Sequence, residues 1–225
     1  MEPGPARMKA SPPSCARSAP AGFTLVELLA VLAILAILLA LAIPPSVALL
    51  TASGVSNAGD QMLSSLSLAR QIATSRNRAV EVRLYRYHDP ARAGQPAEGR
   101  FQAIQLFLIE PTPSGTSTNA ASRKQSLPAN AYIASDPALS SLLDPARFTP
   151  VPGSELGQTV PPVGTNYSAV RFRFRPDGST TLPSDTPMYL TMVPATTPDT
   201  ASAPPANFAT IVLQASSGKA SLHRP

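Results

Sequence analysis

The chain has 225 residues, a formal net charge of +5, 26 prolines and one cysteine. That length suits one domain with a modest core plus an extra segment, and the lone Cys15 excludes an internal disulfide or a cysteine metal cluster. The mild positive charge is weak ground for nucleic-acid binding, and the Pro-, Ser- and Thr-rich composition after Pro45 points to a loop-heavy β domain rather than a helical bundle.

Residues 1–22 form a basic leader in which Arg7, Lys9 and Arg17 outweigh Glu2. The stretch AGFTLVELLAVLAILAILLALAIPP follows, from Ala21 to Pro45. As a helix, Phe23–Ile43 is roughly 32 Å long, which matches a bilayer core. Basic residues before it and few charges after it predict a cytoplasmic N-terminus and a C-terminal domain across the membrane. The small pair Ala21-Gly22 stands before the apolar run, whereas a secretory signal places its cleavage site after it. A cut between Gly22 and Phe23 removes the leader and leaves the apolar helix on the mature chain. Glu27 puts a carboxylate inside that helix, at a cost of about 2.5–3.5 kcal/mol at a bilayer centre and less near an end.

GFTLVELLAVLAILAILLALAIP resembles the class III leader of type IV pilins and type II secretion pseudopilins. The likeness rests on Gly22 before the cut, Phe23 after it, Glu27 as the fifth mature residue, and Pro44. It implies cleavage after Gly22 and methylation of Phe23 by a prepilin peptidase. It also implies that Glu27 pairs with the new α-amino group of a neighbouring subunit, and that Pro44 bends or locally melts the helix during packing. The doublet Pro44-Pro45 departs from the usual single proline and predicts a stronger break.

From Asp60 to Tyr87 the period first reads as helix. Met62, Leu66, Ala69, Ile72 and Ala73 form one apolar face. Asp60 suits an N-terminal turn, and Arg70, Arg76 and Arg78 suit the later turns. Gly54 and Gly59 loosen the helix between its two halves. Val80, Val82 and Leu84 then alternate with Glu81, Arg83 and Tyr85 as a strand. Further strands are predicted over Phe101–Ile109, Tyr167–Arg175, Met188–Val193 and Phe208–Gln214, with a last short one near Ala220–His223. Pro176–Gly178 and Ser216–Lys219 are turns. The segments Pro111–Asn130 and Pro194–Asn207 read as long loops.

The helix-to-strand passage LARQIATSRNRAVEVRL resembles that of H-type pseudopilins and FimT-like minor pilins, through Ala69-Arg70, Arg76-Asn77 and the Val-rich strand. It is also similar to the Verru_Chthon cassette protein D group. The strand leading into Pro176–Gly178 and the terminal hairpin resemble the H-type pseudopilin sheet.

No catalytic residues emerge. His88 and His223 have no metal-ligand spacing, and no nucleophile elbow, phosphate loop or dinucleotide fingerprint occurs. Asp136, Asp144, Asp185 and Asp199 are scattered through loops, so no metal or cofactor is expected. Asn166-Tyr167-Ser168 is a short glycosylation sequon of the kind that arises by chance. Arg171, Arg173 and Arg175 share one strand face at roughly 7 Å spacing and are candidate nucleic-acid contacts. Both phenylalanines of that strand point the other way, so the aromatic platform of a single-strand binder is missing. Pairing with Glu81 or plain solvation is the alternative reading of the stripe.

The expected fold is α+β: a long N-terminal helix, half transmembrane and half amphipathic, packed on an antiparallel sheet. The expected divisions are a leader (1–22), a transmembrane helix (23–45), an amphipathic segment (46–78) and a β-rich domain (79–225). The resemblance implies a non-enzymatic structural subunit of a bacterial envelope filament or type II secretion-like machine. Its partners are then prepilin peptidase, other pilin-like subunits and the inner membrane. A DNA-binding minor pilin and a membrane-anchored domain that never assembles remain the alternatives.

Overall fold

The computed structural model describes residues 24–92, 94–113 and 115–225, with the side chains of 40–51 outside the description. The chain divides into two compact units, the first ending at Pro44 and the second running from Pro45 to Pro225. The architecture is α+β, with helix α1 (Leu25–Arg76) followed by an antiparallel sheet.

Helix α1 begins at a threonine side-chain cap. Thr24 Oγ1 accepts the Glu27 backbone N–H at 3.2 Å, so a threonine three residues before a glutamate satisfies one of the free donors of the first turn. The helix continues through Pro44 and Pro45. Within the first unit the large apolar side chains from Leu25 to Leu39 are exposed on every side of the helix. Among the described residues no helix is long and apolar enough to cross a membrane. The Phe23–Ile43 span expected to do so lies partly outside them.

In the second unit, the helix buries Val55, Ala58, Met62, Leu66, Ala69 and Ala73. The spacing of three and four residues is that of one helical face. Small residues bring this face close to the sheet. A Cβ on Gly59 would lie 3.1 Å from Leu222 and 3.2 Å from Ala209, so Gly59 serves close packing rather than a loose joint. Asp60 likewise sits in mid-helix, where it meets Arg224 at 2.6 Å, and not in the N-terminal turn. The helix ends in a Schellman motif. Asn77 takes a left-handed φ of 49°, the Asn77 N–H reaches Thr74 O, and the Arg78 N–H reaches Ala73 O at 3.2 Å. Asparagine tolerates that conformation better than most residues.

Among the described residues ten strands follow: β1 (Val80–Tyr87), β2 (Arg100–Thr112), β3 (Gly115–Ala120), β4 (Gln125–Ser126), β5 (Ala131–Ile133), β6 (Val151–Pro152), β7 (Ser168–Phe174), β8 (Met188–Pro194), β9 (Ala209–Leu213) and β10 (Ala220–His223). Their order is β10-β9-β8-β5-β2-β1-β7-β6, with β3 and β4 also paired to β2. One face carries Val80, Val82 and Leu84, Ile104, Leu106 and Leu108, Val170, Phe172 and Phe174, with the apolar residues of β8 and β9. These join the helix face in a single core. Alternation of apolar and polar residues puts them there.

The opposite face is also covered. Tyr85, Tyr87, Ala103, Phe107 and Ala169 pack with Val160 and Tyr167 of the segment before β7. A bulge between Tyr85 and Arg86 shifts the β1–β2 register. Gly99 (φ 75°) meets it there, where a Cβ would fall 2.0 Å from the Tyr87 carbonyl oxygen, so no larger residue fits.

The segment expected as a loop over 111–130 contains β3 and β4 instead. Strand β3, Gly-Thr-Ser-Thr-Asn-Ala, is nearly all exposed. Its pairing with β2 over Phe107–Thr112 comes from backbone hydrogen bonds, which leave no hydrophobic period in the sequence. The 195–207 segment forms no strand and is strapped down. Arg100 grips both carboxylate oxygens of Asp199, at 2.8 and 2.9 Å, and donates to Ala195 O at 2.9 Å.

Candidate functional site

Two regions carry the residues singled out in the sequence. The first is the start of α1. Gly22 and Phe23 lie outside the described residues. Glu27 occupies the first turn of α1, where a carboxylate opposes the positive end of the helix dipole. Its backbone N–H is held by Thr24. Pro44 lies within the helix.

The second region is the outer face of β1 and β7. Residues Glu81 and Arg83 sit beside Arg173 and Arg171 in antiparallel register. Glu81 is 1% exposed and Arg83 4%. Arg83 Nε lies 2.7 Å from Glu81 Oε1, and Arg173 Nε lies 3.0 Å from Oε2. Arg83 also donates to Gln158 Oε1 at 3.0 Å and its guanidinium stacks 4.2 Å from the Phe107 ring centre. Each carboxylate oxygen thus accepts a charge-assisted bond, the condition under which a buried charge is tolerated.

This geometry divides the arginine stripe. Arg173 is tied to Glu81. Arg175 reaches Ser179 Oγ at 3.5 Å and lies close enough to Asp177 to add to the Ser179 hydrogen bonds that hold the Asp177 carboxyl below the ordinary range. Arg171 is exposed, and Arg83 stands across from it in register. The stripe is therefore a mixed arrangement in which one buried acid is shared by Arg173 of the stripe and Arg83 beside it, and the three groups together keep one positive charge.

Burial raises the tyrosines behind this face. Tyr85 is pushed well above the ordinary phenol range by desolvation, partly offset by Arg83. Tyr167 is raised by desolvation too. Both therefore act as neutral hydrogen-bonding groups: Tyr85 donates to Gln105 Oε1 at 3.1 Å and Tyr167 to Gln158 O at 3.0 Å. Among the described residues no group of three or more His, Cys, Asp or Glu side chains is placed to hold a metal ion.

The sequence reading passed over Gln158 and the Arg100–Asp199 strap. Both join residues more than 70 positions apart, and a hydrophobic period carries no trace of such pairings.

Residues 17–43 match the family described as the prokaryotic N-terminal methylation motif. No curated protein and no solved structure matches the chain. The motif indicates a type IV pilin-like substrate of prepilin peptidase, and it implies a membrane-anchored, envelope-associated protein that assembles with other pilin subunits.

Proposed function

We propose that this pilin-like chain is a non-catalytic pseudopilin or minor pilin of a bacterial envelope filament or type II secretion-like machine. Prepilin peptidase cuts after Gly22 and methylates Phe23. The helix from Phe23 to Ile43 then holds the subunit in the inner membrane, with its β domain in the periplasm, until assembly. Glu27 receives the α-amino group of a neighbouring subunit and so fixes axial register. Pro44 marks the limit of the apolar helical unit.

The observation that carries this reading is the methylation motif over residues 17–43. Supporting it is the helix from Leu25 to Leu39, whose large apolar side chains are all exposed and whose one charge is Glu27. Such a helix needs a bilayer or neighbouring helices around it.

Glu27→Leu tests the role of the carboxylate. The variant inserts into membranes as the parent does but no longer crosslinks to other pilin-like subunits. If crosslinking persists, the register role of Glu27 is wrong, and an anchored domain that never assembles becomes the better reading.

The rival reading, DNA binding by Arg171, Arg173 and Arg175, is disfavoured by the Glu81 pairing, which removes one cation from the stripe. A gel shift of the full chain across a salt series separates the two, since phosphate contacts weaken steeply with salt.

A further inference from the structure

A cleft of about 650 Å3 opens between the end of β1, the 96–99 turn and the segment entering β7. Its walls are Arg86, His88, Glu98, Asn166 and Ser168, with Ala97, Val163 and Tyr167 supplying apolar surface. The volume is that of a small-ligand site.

Charge and hydrogen-bonding capacity narrow the ligand. Arg86 donates to Glu98 at 2.6 Å, so the two formal charges cancel and the lining favours no phosphate or polyanion. Pro96 O can only accept, so His88 Nδ1 donates to it at 3.1 Å. In the neutral ring this leaves Nε2 as an acceptor. Among the described residues the side chains of Asn166 and Ser168 have no protein partner, and both residues line the cleft. The lining therefore combines hydrogen-bond donors and acceptors, a cancelled ion pair and apolar surface. Ligands with paired hydroxyls on an otherwise apolar ring match such a lining, because each hydroxyl both donates and accepts.

We propose that this cleft binds a neutral oligosaccharide, with Asn166, Glu98 and His88 as the hydroxyl-reading groups and Val163 and Ala97 against the sugar ring. The site is separate from the methylation motif and does not depend on filament assembly.

The test is protein-observed amide NMR on the 15N-labelled full chain in a zwitterionic detergent, titrated with maltotriose and chitotriose as probes and inorganic phosphate as the anionic control. Saturable binding of at least one sugar is expected, with shifts confined to amides near 86–98 and 163–168. Asn166→Ala and Glu98→Gln each weaken it by about tenfold, the effect of losing one or two polar contacts. Both residues are exposed, so both variants keep the parent's circular dichroism. Arg171→Ala, outside the cleft, leaves binding unchanged. No saturation by either sugar overturns the proposal, as does binding indifferent to both variants, or phosphate bound in preference to sugar.

Discussion

Arg173 stands directly across the sheet from Glu81, with its Nε 3.0 Å from a carboxylate oxygen that is almost wholly buried. Arg83 takes the other oxygen at 2.7 Å. The acid is shared by one buried and one half-exposed guanidinium.

Removing the acid strands Arg83 without its carboxylate partner. Glu81→Ala is expected to cost about 3–5 kcal/mol, the range for breaking a buried pair from one side. Arg173→Ala costs less than about 1 kcal/mol, because that side chain is 47% exposed and solvent screens its contact. Urea denaturation of both variants measures the difference. Equal losses would show that the two arginines contribute alike.

The turn out of α1 depends on one left-handed residue. Asn77→Gly should leave stability within about 0.5 kcal/mol of the parent, and Asn77→Val should lower it by about 1–2 kcal/mol, since a β-branched residue resists positive φ. Thermal unfolding followed at the helix signal checks the order. A valine variant as stable as the parent contradicts the Schellman geometry.

Tyr132 provides a pH signature. Desolvation, with Asp199 adding to it, pushes its phenol from 10.0 up to about 12. Its hydroxyl donates to Thr197 O at 2.9 Å, and Arg100 stacks 4.2 Å from its ring centre. The folded state holds this proton more tightly than the unfolded state. Its contribution is therefore complete below pH 10 and is lost as pH rises toward 12. Stability of the parent should fall through that window more steeply than that of Tyr132→Phe. Parallel curves would mean that the phenol is not shielded.

Much of the β domain was legible because apolar alternation is strong where a strand has one buried face. The β7 stretch Ala169–Phe174 shows this: Val170, Phe172 and Phe174 are buried while Arg171 and Arg173 are exposed. Strand β3 was not legible, since Thr, Ser and Asn pair through backbone alone and leave no period. Asp60 and Gly59 were misread from local rules, as a helix start and a loose joint. Their partners, Arg224 and Leu222, lie about 160 residues away, and only the folded sheet brings them together. At Pro44-Pro45 proline chemistry predicts a break, and the helical assignment runs on through the doublet. Of the site residues, Glu27 showed its threonine cap in the sequence as Thr-x-x-Glu, a signal that the apolar run around it obscured.

Processing of the N-terminus is the premise of the whole functional account. Mass spectrometry of the protein from its native membrane measures it directly. The account predicts a mature chain that starts at Phe23 and carries one N-methyl group. A chain that retains Met1, or one cut at any other bond, contradicts it.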